Sequence, residues 1–351
     1  MKKIFISLLA VAALAACTKS EVAYEAPAEI GFSVVAGNIT KAVVDGTTYP
    51  TGLNMFIYAW TEGSTAAAAD YIANGEFEYR KAIGETNVWG GKTPYYWPNV
   101  NKLYFAGYSA SGNASTKAEY NCQSDLLTIT DYTPDNTGAN DLMWFPKTDD
   151  SYGKSTTFVP VDMYHTCAWV TFLVKGDEVT GNSTNPYTVT ELKMTGVDQT
   201  ATVKCSNKTT PKIQWSNNTD KTGTAADYVV TLKNTTGIAL TQSAKDVETD
   251  ATYAVANGST NSNIVVIPQV PGKLNLTYTY KSSTNATITE TVENLDLALT
   301  KATEDATTAT GPTSWEAGKH YIYTITIKAN EILIAPTPAD WNDENWFITV
   351  E

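Results

Sequence analysis

Apolar and polar residues alternate in short runs along most of the chain, and the runs are separated by clusters of Gly, Asn, Asp and Pro. Ile30-Gly31-Phe32-Ser33-Val34 puts Ile30, Phe32 and Val34 on one face of a strand. Leu53–Trp60 is a nearly continuous apolar strand, followed by Leu103–Tyr108 and Ala168–Val174. Tyr228–Leu232, Asn263–Ile267, Leu274–Tyr280 and Tyr321–Ile327 complete the clear set, with Pro268 and Pro271 closing one of them. The one helical hint is Ala66–Ala69 beside Asp70, where a short surface helix is expected. No stretch of 20–50 residues repeats, which argues against a solenoid or propeller. Many short strands at turn-spaced intervals predict β-sandwiches. Asp149–Lys154 reads as a loop, and Val159-Pro160-Val161 breaks the pattern before a new strand starts at His165. That places a boundary between an N-terminal domain, 30–164, and a C-terminal domain, 165–351.

The first residues read as an address. Lys2 and Lys3 precede an apolar run from Ile4 to Ala16 that is too short to span a bilayer as a helix. The run ends in Leu14-Ala15-Ala16-Cys17, the pattern of a lipobox. Residues 1–16 are therefore expected to be a signal peptide, and 17–29 a tether carrying acyl chains on Cys17. Thr18 follows the cysteine where an inner-membrane retention signal would place Asp, so the expected address is the outer membrane.

Composition narrows the chemistry. The 351 residues carry a net charge of −13, which excludes the basic footprint of a nucleic-acid binder. Two His and four Cys leave little material for acid–base or metal chemistry. No GxSxG, HExxH, P-loop or GxGxxG is present, so no catalytic residue, cofactor site or metal site is assigned. Asp131, Asp135 and Asp141 with Asn136 and Asn140 do not have the spacing of an EF-hand loop. His165 and His320 head apolar strands and are expected to be structural, and Cys122, Cys167 and Cys205 to be buried thiols. Trp89, Tyr95, Tyr96 and Trp97 admit two readings, a packed cap or an exposed platform for stacking sugar rings.

The order of these features resembles the Bacteroidales-type fimbrillin family, the pilins of type V pili and their relatives. After the lipobox, the family's Thr-Arg-Ala-like step is matched by Thr40-Lys41-Ala42, with Lys41 where the family has Arg. Asp45-Gly46-Thr47, Tyr49–Gly52 and the Leu53–Trp60 strand follow, then Tyr95-Tyr96-Trp97-Pro98, Leu103–Ser109 and Asp141-Leu142-Met143. His165–Val174 matches the opening of the family's second domain. Trp315, Gly318, Tyr321, Tyr323, Ile325 and Ile327 fit its W-x-x-G-x-x-Y-x-Y-x-I-x-I motif, and Asp340-Trp341 a late Trp.

The resemblance implies an all-β fold of two tandem transthyretin-like β-sandwich domains. It also implies a surface lipoprotein precursor that a protease trims, here after Lys41, and that polymerises by strand exchange. Its partners would be other fimbrial subunits and the outer membrane through the lipid, with a host or glycan ligand as a further partner. The strand of Ile30, Phe32 and Val34 would leave, and Trp346, Ile348 and Val350, which alternate in the same way, are the candidate donor. Stalk, tip and anchor roles all remain open. The alternative is a surface lipoprotein that binds glycans through Trp89, Tyr95, Tyr96 and Trp97. A secreted hydrolase is disfavoured by the lack of an acid–base pair.

Overall fold

The computed structural model describes residues 28–34, 49–83, 86–134, 141–154, 156, 158–206, 212–216, 228–232, 237–243, 245–246, 253–255, 264–298, 311–329 and 332–340. They are nearly all strand and turn. An eight-stranded sheet runs in the order Tyr164–His165, Met143–Phe145, Leu103–Ser109, Met55–Thr61, Ile72–Ile83, Thr86–Gly91, Gly31–Val34 and Val159–Val161. Its first and last strands belong to one stretch of chain and are separated only by Asp162 and Met163. The two edges of the sheet therefore meet, and the sheet closes much as a barrel does. The enclosed core contains Phe32, Met55, Ile57, Phe77, Phe105 and Phe145.

The continuous apolar run of Met55–Thr61 has a direct explanation. Met55, Ile57 and Ala59 face this core, whereas Tyr58 and Trp60 face a second one on the outside of the sheet. A strand buried on both faces cannot alternate. The second core is covered by a four-stranded sheet in the order Lys212–Trp215, Ala201–Ser206, Leu126–Tyr132, Ala118–Asn121. Val203 lies opposite Ile129, and Cys205 opposite Leu127.

The C-terminal sandwich packs two further sheets face to face. One has the order Lys245–Asp246, Ala168–Gly176, Lys319–Ile327, Ile332–Asp340, with Ile264–Val266 also on Ala168–Gly176. The other has the order Tyr253–Val255, Tyr228–Leu232, Thr188–Thr195, Lys273–Lys281, Thr287–Asp296, with Ile238–Ala239 on Thr188–Thr195. Val170, Phe172, Tyr323 and Ile325 from the first meet Leu192, Met194, Leu274 and Leu276 from the second. Ala168–Gly176 and Lys319–Ile327 run parallel, from Trp169 opposite His320 to Gly176 opposite Ile327. The Trp315 motif closes this core: the indole Nε1 donates to the Tyr323 hydroxyl at 2.9 Å, and Gly318 turns the chain at φ +71°.

Two expectations are corrected. Ala66–Ala69 is not helical; four alanines cannot offset helix nucleation, and Asp70 fixes a loop by accepting the Thr61 N–H and hydroxyl at 2.8 Å each. The only described α-helix is Ala114–Lys117. Val159-Pro160-Val161 is not an interruption but the parallel neighbour of Gly31–Val34. From beyond the expected 164/165 boundary, Ala201–Ser206 pairs with Leu126–Tyr132 and Lys212–Trp215 pairs with Ala201–Ser206. The Trp215 Nε1 donates to the Thr166 carbonyl at 2.7 Å and ties that hairpin to the junction.

Two outcomes are expected. A fragment of residues 28–164 leaves Leu127, Ile129 and Tyr132 uncovered and should show no cooperative urea transition; a cooperative one would show that 28–164 folds as a domain by itself. The second concerns acid. His320 lies flat on Trp169, with ring centroids 3.5 Å apart, and its burial holds the imidazole pKa down to about 3. The unfolded chain, with an ordinary value of about 6.5, takes up a proton that the folded chain refuses. This contribution to stability is complete above pH 6.5 and is lost as the pH falls towards 3. Denaturant midpoints measured across that window should fall less steeply for His320→Phe, which keeps a ring on Trp169.

Candidate assembly site

Gly31–Val34 lies inside the N-terminal sheet, not at an edge. It pairs antiparallel with Thr86–Gly91, Gly31 opposite Gly90 and Phe32 opposite Trp89. On its other side it runs parallel to Val159–Val161, with Phe32, Ser33 and Val34 opposite Val159, Pro160 and Val161. Alternation explains its hold. Ile30 and Phe32 are fully buried and Val34 is half-buried against the same core. The Phe32 ring stands edge-on to Phe77 and Phe105, with centroids at 5.0 and 5.2 Å, and tilts against Phe145 at 6.1 Å. Upstream, the Ile30 N–H donates to the Tyr95 carbonyl at 2.8 Å, and the Trp97 N–H to the Ala28 carbonyl at 2.9 Å. Gly31 has no room for a side chain, since a Cβ there would come within 2.9 Å of the Phe158 ring.

The segment is thus a four-residue plug with a partner strand on each side. Without it, Thr86–Gly91 and Val159–Val161 would both present bare backbone, and Phe77, Phe105 and Phe145 would line an open apolar slot. Ile30, Phe32 and Val34 come together as the alternation predicts. Lys41, Cys17, Trp346, Ile348 and Val350 lie outside the described residues. Phe77, Phe105, Phe145 and Val159 were not singled out in the sequence; the alternation in Leu103–Ser109 was the available signal for Phe105, and Pro160 disguised the strand that holds Val159.

The four aromatics do not form a sugar platform, because two of them are inside. Trp89 is 1% exposed, wedged edge-on against Tyr49 and Tyr79, with its Nε1 donating to the Leu53 carbonyl at 3.1 Å. Trp97 is 3% exposed and edge-on to Phe105. Tyr95 stacks on Phe77, and only Tyr96 is well exposed, at 44%. Trp89 and Trp97 are packed into the same core as Phe32.

The remaining polar candidates serve packing. Asp141 and His165 are buried, and the His165 Nδ1 pairs with an Asp141 carboxylate oxygen where Met143–Phe145 meets Tyr164–His165. Asp135, Asn136 and Asn140 lie outside the described residues. The described residues contain no cluster of three or more His, Cys, Asp or Glu suited to a metal ion. Cys122, Cys167 and Cys205 are buried free thiols, and burial pushes the Cys122 thiol up to about 11 and raises the other two as well.

A fimbrillin-like family matches residues 40–341, most of the chain. Among solved structures, a fimbrial protein of Bacteroides vulgatus superposes with a TM-score of 0.54 at 17% identity, covering 90% of this chain and 99% of that one. A fimbrilin of Porphyromonas gingivalis gives 0.40 at 12% identity, with 92% and 99% covered. The tip fimbrial protein of the same organism, truncated at its C-terminus, gives 0.36 at 8%, with 90% and 100% covered. No curated protein matches the chain. The family is one of structural subunits of cell-surface fimbriae and is not known to be enzymatic. The extent of the family match and the shared all-β fold lead to one conclusion: this chain is a member of the fimbrillin-like family.

Proposed function

We propose that this fimbrial subunit is made as an outer-membrane lipoprotein precursor acylated at Cys17. It is cut after Lys41, releases the Gly31–Val34 strand, and polymerises when a strand from another subunit refills the slot. The candidate donor is the Trp346, Ile348, Val350 segment, and the polymer serves adhesion at the cell surface. One observation carries the reading: the strand upstream of Lys41 is short, central and apolar, with paired backbone on both sides. Burial of Ile30 and Phe32 contributes roughly 3–6 kcal/mol gross, at about 1.5–3 each. A slot that has lost that burial favours capture of an equivalent strand. Donation from one subunit to the next is head to tail and gives an open filament.

The reading is tested by blocking each half of the exchange. Lys41→Ala, and separately truncation after Asn342, should each abolish the detergent-resistant, heat-sensitive ladders that polymer gives on a gel. Ladders from the truncated chain would exclude the C-terminal donor. Phe32→Ala in the uncleaved chain should cost about 3–5 kcal/mol in denaturant unfolding, while polymer formed after cleavage, no longer containing this residue, should match the parent. Cys17→Ala should lose its acyl mass and leave the detergent phase; a variant that still partitions there would refute lipidation at this residue.

A further inference from the structure

The C-terminal sandwich ends in two long strands, Thr287–Asp296 on one sheet and Ile332–Asp340 on the other, each paired on one side only among the described residues. An open edge offers rows of N–H and C=O groups to any extended segment. In a protein that assembles by capturing strands, every such edge competes with the intended slot. Both edges carry features that obstruct capture.

Ile332–Asp340 pairs residue by residue with Lys319–Ile327, from Ile327 opposite Ile332 to Lys319 opposite Asp340, without a register break. Pro336 and Pro338 fall inside this ladder, opposite Tyr323 and Tyr321. Successive residues of a strand send their backbone groups alternately to the two sides. Proline has no N–H, so the ladder stays unbroken only if positions 336 and 338 direct their nitrogens away from Lys319–Ile327. The outward row is then that of residues 332, 334, 336, 338 and 340, and two neighbouring donors are missing from its middle.

Thr287–Asp296 is obstructed differently. The register slips where Leu274 and Leu276 face Leu295 and Val292, Asn294 takes φ +60°, and its N–H donates to the Asn275 Oδ1 at 2.9 Å. This is a bulge, which bends an edge away from a partner. Glu290 lies opposite Tyr278 and is exposed at the edge, and its two oxygens accept from the Tyr278 and Tyr280 hydroxyls at 2.7 and 2.9 Å. Those bonds hold the Glu290 carboxyl below its usual range, so it is ionised at neutral pH. A strand laid beside this edge would have to set its side chains against this fixed, ionised carboxylate, and charge on an edge strand is a recognised obstacle to edge pairing.

We infer that Pro336, Pro338, Glu290 and the Asn294 bulge are guards that obstruct strand addition at the Ile332–Asp340 and Thr287–Asp296 edges, so that these two long edges do not compete with the Gly31–Val34 slot. The inference rests on the strand-exchange reading for its purpose, but its test does not, because every measurement uses the purified full chain uncleaved at Lys41. The chain, Pro336→Val/Pro338→Val and Glu290→Val are compared by sedimentation over a concentration series, with circular dichroism to verify strand content. The parent should keep one mass throughout, and each variant should rise to about twice that mass or beyond at the highest concentrations, as edge-to-edge pairing requires. Variants with the parent's strand content and the parent's mass at all concentrations would overturn the inference. Residue-resolved hydrogen exchange on the parent needs no variant to fold. The amides of Ala335, Thr337 and Ala339 should be protected, and those of Ile334 and Asp340 should exchange at least about tenfold faster. The reverse pattern would put the prolines on the wrong side and overturn the inference as well.

Discussion

The insertion of Phe32 between Phe77, Phe105 and Phe145 is the contact on which the N-terminal unit depends. Those three rings come from strands that are not all neighbours in the sheet, and Phe32 touches each of them. It can do so because its strand lies where the closing sheet meets itself, between Thr86–Gly91 and the Val159–His165 stretch. The polar face of that strand is thin: Gly31 is pressed by Phe158, and only Ser33 offers a polar side chain. The segment is held by apolar packing and backbone pairing, with no side-chain ion pair among the described residues to fix it. Such a grip fits the proposed exchange, because a strand of the same alternation could reproduce it.

The two units are coupled at the other end of the same stretch. His165 pairs with Asp141, Thr166 donates to the Leu142 carbonyl, and the Gly318 N–H reaches the Cys167 carbonyl at 2.8 Å. The Ala201–Trp215 hairpin then reaches back from the C-terminal half of the sequence to roof the outer core. Residues 159–168 and this hairpin make the molecule one connected object, whose slot lies at the seam of the first sheet and whose guarded edges lie on the second sandwich.

How much of this could be read from the chain follows from burial. Ala168–Val174 and Tyr321–Ile327 alternate because one face is core and the other is not, and they lie within the observed strands Ala168–Gly176 and Lys319–Ile327. Ile30, Phe32 and Val34 were legible for the same reason. Val159–Val161 was hidden because a parallel strand at a seam tolerates a proline. Thr287–Asp296 was hidden because it is exposed on both faces along much of its length, so its side chains have no core to alternate against. Ala201, Val203 and Cys205 do alternate inward, but nothing local to them says that their partner is Leu126–Tyr132, some seventy positions upstream. The aromatic group illustrates the limit most sharply: residue type alone cannot tell a ring that faces solvent from one at 1% exposure.

The parallel pairing of Ala168–Gly176 with Lys319–Ile327 also sets a schedule. Thr171 and His320, bonded across this pair, are 149 residues apart. A loop of that size must close before its contacts repay the entropy, so the central ladder of the C-terminal sandwich is intrinsically slow to form. During synthesis, the strand that begins at Ala168 waits for nearly the whole remainder of the chain before its parallel partner exists. The hairpin that roofs the N-terminal outer core is made in the meantime. The order of manufacture therefore favours completion of the slot-bearing unit, with its own strand already in place, before the sandwich that follows it can consolidate.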